Sequence, residues 1–265
     1  MTAAWPEQYV SAKAAQNGGN ERMTKIFGHR GASGYAPENT IEAFRLAAEM
    51  GADGIELDVQ MTRDGELVVA HDETVDRVSD GRGRIADLSL KELKQFRFNR
   101  THPEYGEATI PTLGEVFELL KPTKLEINIE LKNSLVDYPG LEKRVIDLTV
   151  SKFDPGRVIY SSFNHASMMR IKAIDPRLMC GLLYEASLIE PWEYAVRLGM
   201  DALHPQYAEV ITPGGNCRKA HNAGVRVHTW TVNEPEVMKK VLMEKADVII
   251  TNYPDVGCQE RAKIL

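Results

Sequence analysis

The chain has 265 residues, of which 43% are hydrophobic and 26% are charged, and its formal net charge is −6. This length and composition are typical of one large globular domain or of two small ones. The acidic balance argues against a nucleic-acid-binding protein, because neutralising phosphates requires a surplus of lysine and arginine. No stretch approaches the roughly 18 apolar residues of a transmembrane helix, so we expect no membrane span.

The first 22 residues are rich in Ala, Gln, Asn and Gly and lack the basic and apolar regions of a secretory signal. We expect residues 1–22 to form an N-terminal extension and residues 23–265 to form the domain. Cys180, Cys217 and Cys258 are far apart and form no CxxC pair. We interpret them as thiols in a reducing compartment, which predicts a cytoplasmic protein. The sequence leaves the oligomeric state open.

From Met23 onward, short apolar runs alternate with amphipathic helical stretches. The expected strands are 25–28, 54–61, 124–131, 158–163, 178–184, 202–204, 225–231 and 248–251. The expected helices are 40–50 with Asn39 as its N-cap, a short piece over 89–95, 112–120, 141–151, 165–174, 191–198, 208–223, 234–244 and one after Pro254. Eight strand–helix units favour an α/β fold of the TIM (β/α)8 barrel type. An open, doubly wound sheet is the competing architecture, because eight strands do not require closure.

Two segments interrupt this alternation after the second strand. Asp64-Gly65 between two apolar runs predicts a tight β-hairpin with a return strand over 66–70. The insertion at about 72–111 is polar and rich in Arg, Asp and Gly. In a barrel, an insertion at this point lies over the mouth as a small cap. Its basic run 77–84 could steer an anionic substrate, but we interpret it as a solvated loop.

Carboxylates lie on the second and third barrel strands, towards the carboxyl ends where barrel active sites lie. Glu56 and Asp58 are two residues apart on a strand, so both side chains point to one face. Ionised carboxylates that converge inside a barrel are unfavourable unless a cation compensates them. Oxygen ligands suit Mg²⁺ or Ca²⁺, and Glu130 could supply a third carboxylate. A solvent-facing position for Glu56 and Asp58 fits the local alternation equally well.

The hairpin favours the functional interpretation of these acids. A turn centred on residues 63–64 places His71 opposite Glu56, whereas a turn centred on 64–65 places it opposite Asp58. Directly opposed residues on paired strands have Cβ atoms roughly 4.5–5.5 Å apart. Either register therefore predicts that His71 lies beside the carboxylates.

Further polar residues end the neighbouring strands. His29 and Arg30 end the first strand, and Lys132 ends the third. Two histidines, two basic side chains and three carboxylates in one mouth are a set that phosphoryl transfer uses. A metal and Arg30 would neutralise charge on the phosphoryl oxygens. One histidine would take a proton from the nucleophile, and the other would give one to the leaving oxygen.

The motifs also occur in a specific order. They are His29-Arg30-Gly31-Ala32, Pro37-Glu38-Asn39-Thr40, Glu56-Leu57-Asp58-Val59, Thr62-Arg63-Asp64-Gly65, Val68-Val69-Ala70-His71-Asp72 and Glu130-Leu131-Lys132. In this order and spacing they resemble the glycerophosphodiester phosphodiesterase family, from about Met23 to the C-terminus. Residues 1–22 lie outside the resemblance.

The resemblance implies an activity and a role for each matching residue. The implied activity is metal-dependent hydrolysis of glycerophosphodiesters, small molecules, to glycerol 3-phosphate and an alcohol. The implied roles are acid/base catalysis by His29 and His71, binding of one divalent cation (Mg²⁺ or Ca²⁺) by Glu56, Asp58 and Glu130, phosphate contacts from Arg30 and Lys132, and an aromatic wall of Trp230 and Phe163 near the glycerol pocket. The family's route attacks phosphorus with a glycerol hydroxyl and gives a cyclic phosphate that water opens.

Several questions stay open at this point. The head group is undetermined, as is which histidine is the acid and which the base. A lysophospholipase D-type phosphodiesterase that acts on lysophospholipids is the alternative activity, and it would need an apolar groove at the mouth. A binding protein that has lost catalysis is a third possibility, although no motif residue is missing. Among the remaining histidines, we interpret His165, His221 and His228 as structural or surface residues and consider His204 for a role in the pocket.

Overall fold

Eight parallel strands close into a barrel in the computed structural model, which describes residues 23–212 and 216–264. The predicted extension, residues 1–22, lies outside the described residues. The strands are β1 (Lys25–His29), β2 (Gly54–Met61), β3 (Leu67–Val69), β4 (Glu126–Leu131), β5 (Val158–Ser162), β6 (Met179–Tyr184), β7 (Ala202–Pro205), β8 (Arg226–Thr229) and β9 (Val248–Thr251). The sheet order is β1-β9-β8-β7-β6-β5-β4-β2-β3, and β1 also pairs with β2. This closure confirms the (β/α)8 barrel and excludes the open sheet.

Helices surround the barrel between successive strands. They are α1 (Ile41–Glu49), α2 (Leu90–Leu93), α3 (Leu113–Leu120), α4 (Leu141–Lys152), α5 (His165–Ile174), α6 (Pro191–Leu198), α7 (Ala208–Ile211), α8 (Asn216–Asn222), α9 (Pro235–Met243) and α10 (Pro254–Ala262), with 3-10 turns at Ile85–Asp87 and Pro155–Arg157. The single helix predicted over 208–223 is therefore two helices, α7 and α8. Within the described ranges, no helix has both the length and the apolar character needed to cross a bilayer. The cytoplasmic location stays a prediction.

The alternation along β2 separates two environments. Ile55, Leu57 and Val59 are fully buried in the apolar layer between the barrel and its helices, where they pack with residues such as Phe44 and Phe117. The intervening Glu56 and Asp58 therefore point into the barrel, because successive side chains on a strand face opposite sides. Glu56 is 4% exposed and Asp58 is 1% exposed. The solvent-facing interpretation of these two acids was wrong.

The hairpin after β2 has a register that the sequence analysis did not predict. Gln60 pairs with Val68, so neither predicted register is correct. The backbone N–H of Thr62 donates to the carbonyl of Glu66, which leaves a loop of residues 63–65 rather than a two-residue turn. Gly65 has φ +85°, the left-handed conformation that glycine adopts at the end of such a three-residue loop. Strand β3 pairs antiparallel with the last residues of β2, and the resulting hairpin extends beyond the barrel rim.

The segment after β3 forms a small cap with its own apolar core. We call residues 72–111 the cap segment. It contains the 3-10 turn and α2, which begins with a capping box between Ser89 and Glu92. Its buried apolar residues pack against Val68 and Ala70 of the hairpin, and this cluster comprises Val68, Ala70, Val75, Ile85, Leu93, Phe98 and Ile110. The predicted cap after the second strand is confirmed.

Candidate active site

Three carboxylates converge at the carboxyl ends of two neighbouring strands. Asp58 on β2 is the register partner of Glu130 on β4, and Glu56 lies on the same face of β2. All three side chains are buried, and one carboxylate oxygen from each lies within 4.8 Å of the other two. We call Glu56, Asp58 and Glu130 the acidic triad. The strand register therefore brings together all three predicted metal ligands.

The electrostatics of the acidic triad are unfavourable without a further cation. Burial, reinforced by Asp58 and Glu130, raises the pKa of Glu56 well above its ordinary value. Burial and the neighbouring Asp58 likewise raise the pKa of Glu130. Burial also acts to raise the pKa of Asp58, but Arg30, His71 and Lys132 together hold it below its ordinary value. These shifts indicate that protein charges compensate only part of the buried negative charge.

The donor atoms of the triad fit a hard divalent cation. Oδ1 of Asp58 is buried and accepts no hydrogen bond from the described part of the chain. Buried polar atoms are ordinarily satisfied, so this oxygen is left for a ligand. Three clustered carboxylates are the ligand type that Mg²⁺ and Ca²⁺ prefer.

Asn39 holds the other oxygen of Asp58. Its Nδ2 donates to Oδ2 of Asp58 at 2.9 Å, and the backbone N–H of Asp58 donates to Oδ1 of Asn39 at 3.4 Å. Asn39 was predicted to cap α1, but the cap is Thr40, whose hydroxyl accepts from the N–H of Ala43. Asn39 has φ +59°, a left-handed conformation that asparagine tolerates better than most residues. This conformation frees its amide for Asp58, so the sequence analysis was wrong about its role.

His29 ends β1 next to the acidic triad. It is the register partner of Glu56, and its Nε2 lies 4.0 Å from Oε2 of that side chain. Its Nδ1 lies 2.7 Å from Oδ1 of Asn252, which directly follows β9. The amide oxygen accepts a hydrogen bond from Nδ1–H, which leaves Nε2 as the acceptor nitrogen of the ring. Burial, reinforced by Arg30, lowers the pKa of His29 to about 4. The sequence analysis missed Asn252, although a polar residue at the end of the last barrel strand is a signal for it.

His71 reaches the site because the chain bends away from β3. Nε2 of Gln60 donates to three successive carbonyls, those of Ala70 (2.9 Å), His71 (3.2 Å) and Asp72 (2.7 Å). Regular pairing would put His71 opposite Leu57, on the outer face, but the ladder ends at Val69. The bend brings His71 into the cavity beside Glu56 and Glu130. Its Nδ1 lies 2.7 Å from Oδ1 of Asp72.

A cavity opens above these residues. Its wall comprises His29, Arg30, Glu56, His71, Asn128, Glu130, Phe163, Leu183, Glu185, Trp230, Thr231 and Ile250. The ring centroids of Phe163 and Trp230 lie 5.6 Å apart in an edge-to-face arrangement. Nε1 of Trp230 donates to the carbonyl of His204. Both predicted aromatic residues thus lie in the cavity wall. Lys132 is not one of these wall residues, and its Nζ donates to Oε1 of Glu130 at 3.0 Å.

The comparisons with known proteins agree with this geometry. The sequence matches the model of the glycerophosphoryl diester phosphodiesterase family over residues 29–256. The chain belongs to this family. It is 44% identical to a glycerophosphodiester phosphodiesterase of Caldanaerobacter subterraneus subsp. tengcongensis, over 88% of this chain and 95% of that protein. It is 37% identical to one of Bacillus altitudinis, over 91% of this chain and 100% of that protein.

Solved structures give the same grouping. A phosphodiesterase of Oleispira antarctica, solved in complex with the product sn-glycerol-3-phosphate, is 28% identical with a TM-score of 0.81, over 90% of this chain and 96% of that chain. A protein of Silicibacter pomeroyi at 24% identity and a TM-score of 0.82, over 93% of this chain and 95% of that chain, shows the shared fold. The (β/α)8 barrel and family membership predicted from the motifs are confirmed.

In this glycerophosphoryl diester phosphodiesterase family member, two further histidines are buried inside the barrel. The rings of His204 and His228 lie 4.6 Å apart, and neither ring nitrogen of His204 has a hydrogen-bond partner among the described residues. Burial lowers the pKa of His204 to about 3. Burial, reinforced by His204, also lowers the pKa of His228 well below its ordinary value. The imidazole of His204 packs over Gly181 and is not part of the cavity wall, but the backbone carbonyl of His204 accepts from Nε1 of Trp230, so His204 contributes to the pocket through Trp230.

Proposed function

We propose that this protein hydrolyses glycerophosphodiesters to glycerol 3-phosphate and an alcohol. The observation that carries the proposal is the convergence of two imidazoles, an acidic triad and an aromatic pair on one cavity. Membership in the glycerophosphoryl diester phosphodiesterase family supports the activity. The product bound to the Oleispira antarctica relative supports a small glycerol phosphate as the group recognised.

The acidic triad would hold one divalent cation, either Mg²⁺ or Ca²⁺. The unsatisfied Oδ1 of Asp58 and the raised pKa of Glu56 support this assignment. When bound, the cation supplies positive charge that stabilises the phosphoryl oxygens. Arg30 lies in the cavity wall and would add a second positive charge for the phosphate. Lys132 would act at longer range, because Glu130 and Asp58 surround its ammonium group.

The two histidines differ in what fixes each imidazole. Asn252 accepts a hydrogen bond from Nδ1–H of His29, so Nε2 of His29 is free to take a proton from the attacking glycerol hydroxyl. Oδ1 of Asp72 lies 2.7 Å from Nδ1 of His71 and fixes the orientation of this imidazole, whose Nε2–H would protonate the leaving alkoxide. In the family's route the roles reverse when water opens the cyclic phosphate. We assign His29 as the first base and His71 as the first acid.

The aromatic pair would bind the glycerol portion. Phe163 and Trp230 present apolar ring surface on the side of the cavity formed by β5 and β8. Sugar and polyol carbons pack on such surfaces, while the hydroxyls remain available for polar groups. Glu185 is the acidic residue beyond them in the wall. It would face the alcohol side of the substrate.

The decisive experiment measures glycerol 3-phosphate release from glycerophosphocholine, glycerophosphoethanolamine and glycerophosphoglycerol. We expect turnover in the presence of Mg²⁺ or Ca²⁺, loss of turnover in excess EDTA, and recovery when either ion is restored. Absence of glycerol 3-phosphate from all three substrates would overturn the activity. Undiminished turnover after complete chelation would overturn the role of the metal while leaving the activity in place.

A second candidate is hydrolysis of lysophospholipids, which we propose because exposed apolar side chains lie in the loops that follow β4 and β6, at the end of the barrel where the cavity opens. Leu135 follows β4 and is 82% exposed, and Ile189 follows β6 and is 93% exposed. Both loops flank Phe163, which follows β5 and is 38% exposed. Such side chains would contact an acyl chain attached to glycerol. Comparing the rates on lysophosphatidylcholine and glycerophosphocholine decides between the candidates, and Ile189→Ser should reduce only the rate on the lipid.

A further inference from the structure

Arg77 in the cap segment contacts two carboxylates that come from different parts of the chain. Its Nε donates to Oδ2 of Asp72 at 2.6 Å, and its Nη2 lies 3.1 Å from Oδ1 of the same residue. Its Nη1 and Nη2 donate to the two carboxylate oxygens of Glu38 at 2.8 and 2.7 Å. The sequence analysis interpreted residues 77–84 as a solvated loop. For Arg77 that interpretation was wrong, because its guanidinium bridges the cap segment and the β1–α1 loop.

Each carboxylate that Arg77 holds also holds a residue of the proposed site. Oδ1 of Asp72 lies 2.7 Å from Nδ1 of His71. Oε1 of Glu38 accepts from Nη1 of Arg30 at 2.8 Å. A continuous chain of charged hydrogen bonds therefore runs from His71 through Arg77 to Arg30. Planar guanidinium groups suit this function, because they make paired bonds of fixed geometry with carboxylates.

We propose that Arg77 is a positioning residue that fixes the orientation of His71 relative to Arg30 by clamping Asp72 and Glu38 together. The inference rests on the proposed function, since it assigns a role to those two residues in the same site. Arg77 is half exposed, and it is neither a member of the acidic triad nor one of the residues of the cavity wall. Its action is therefore indirect.

The two ends of this clamp would respond differently to loss of Arg77. Glu38 and Arg30 are mostly buried, at 14% and 16% exposure, and keep each other as partners. Asp72 is 28% exposed and would be left with His71 alone among these charged groups. A misplacement of about 1 Å in a catalytic group is able to lower turnover about 100-fold. The loss should therefore fall on kcat, through His71, more than on KM, through Arg30.

Arg97 offers a matched control in the same cap segment. Its Nε donates to Oδ2 of Asp80 at 2.8 Å, and the pair is more exposed than that of Arg77, at 66% and 44%. Neither residue lies in the cavity wall. Arg97→Gln removes a cap ion pair of the same chemical type and so reports any general effect of loosening the cap.

The test compares Arg77→Gln, Arg77→Lys and Arg97→Gln with the wild type on glycerophosphocholine. We expect Arg77→Gln to lower kcat by about 10- to 100-fold with KM changed by less than about threefold. Arg77→Lys should fall between it and the wild type, because an ammonium group cannot bridge both carboxylates in the same way. A second test uses the alanine variants of the same two residues. Free guanidinium ion at non-denaturing concentration should restore part of the activity of Arg77→Ala, whereas it should not alter the activity of Arg97→Ala. Equal kcat values for Arg77→Gln and Arg97→Gln would overturn the proposal.

Hydrogen–deuterium exchange separates this inference from the proposed function. Amides of residues 71–78 should exchange faster in Arg77→Gln than in Arg97→Gln or in the wild type, whether or not the chosen substrate is hydrolysed. Absence of turnover in the wild type would count against the proposed function alone. Unchanged exchange at residues 71–78 in Arg77→Gln would count against the clamp, even in an active enzyme.

Discussion

The hydroxyl of Tyr138 donates to Oε1 of Gln60 across 3.0 Å, and this buried bond orients the amide that bends the chain at His71. Tyr138 lies in the β4–α4 loop, and Gln60 lies on β2. With its oxygen held by Tyr138, the amide of Gln60 has its nitrogen directed at the carbonyls of residues 70–72. The position of a proposed catalytic histidine thus depends on a tyrosine from another loop.

Gln60→Leu should impair both folding and catalysis. Three carbonyls lose their shared donor, and an unsatisfied buried polar group costs roughly 1–3 kcal/mol. We expect the free energy of unfolding in urea to fall by about that amount, with a loss in kcat for glycerophosphocholine. Tyr138→Phe should give a smaller loss of stability, about 1 kcal/mol, with a measurable fall in kcat. Tyr105→Phe, in the cap segment, is the control, and a kcat for Tyr138→Phe equal to that control would contradict the role of the bond.

Asn252→Leu should lower kcat without abolishing substrate binding. The amide oxygen of Asn252 selects the tautomer of His29 in which Nε2 is an acceptor. Hydrogen-bond partners that orient metal-bound histidines are worth about 10- to 100-fold in metal affinity or activity, and we expect a similar effect for the partner of a catalytic histidine. We expect a kcat loss in that range on glycerophosphocholine, with KM near that of the wild type. Asn99→Leu in the cap segment is the control, and a kcat for Asn252→Leu that matches it would remove Asn252 from the mechanism.

Glu56→Gln should stabilise the metal-free protein while it inactivates the enzyme. Burial and the neighbouring acids raise the pKa of Glu56, so at neutral pH its charge opposes folding. A glutamine oxygen can still accept from the N–H of Arg30, which lies 3.0 Å from Oε2 of Glu56. In EDTA we expect a higher melting temperature than that of the wild type. With Mg²⁺ or Ca²⁺ at a hundredfold excess over Kd, the free energy of unfolding of the wild type should rise by about 2.7 kcal/mol, and that of the variant by much less.

Equal stabilisation of Glu56→Gln and the wild type by both ions would show that the cation binds elsewhere. Glu126→Gln serves as the control. Glu126 is only partly exposed and lies at the opposite end of β4, where it pairs with Lys25. Its replacement should leave the ion-dependent shift in melting temperature intact.

The buried pair of His204 and His228 should make the protein sensitive to acid. The pKa of His204 falls from 6.5 to about 3 on folding, so between these values the unfolded chain binds a proton that the folded chain does not. The free energy of unfolding should therefore decrease as pH falls from about 6.5, by up to about 1.4 kcal/mol per pH unit for each such histidine. Urea titrations between about pH 4.5 and about pH 6.5 measure this dependence, and the free energy of unfolding of His204→Leu should change less with pH than that of the wild type. That of His102→Gln should not, and parallel pH profiles for wild type and His204→Leu would contradict the assignment.

Local alternation was sufficient to predict most of the barrel. The bounds of β2 and β9 were predicted correctly, because β2 alternates apolar and polar residues, β9 is a short apolar run, and turn or polar residues follow both. The inward parity of Glu56 and Asp58 followed from the two-residue period of a strand. The burial of the inner face could not be predicted from this period, because it depends on barrel closure. Closure is a property of all eight strands together and not of any single segment.

The errors arose where a role depends on residues that are distant in sequence. Asn252 lies 223 positions from His29, and Arg77 lies 39 positions from Glu38. The strand end before Asn252 indicates a site residue but not its partner, and no local pattern distinguishes Arg77 from an ordinary loop residue. The hairpin register failed for a different reason, because Asp64-Gly65 is compatible with two- and three-residue loops, and the Thr62–Glu66 bond decides between them. The assignments of the site residues stay predictions until the variants are measured.

The position of His71 just after β3 has a consequence for how this enzyme could diversify. The eight closing strands supply the acids and one imidazole, whereas the second imidazole follows a strand that takes no part in closure. Residues beyond the clamp at Arg77 could then change in length and chemistry while the barrel stays intact. Replacing residues 80–110 with the corresponding segment of a relative is a way to change the leaving-group preference while the acidic triad and both histidines stay unaltered.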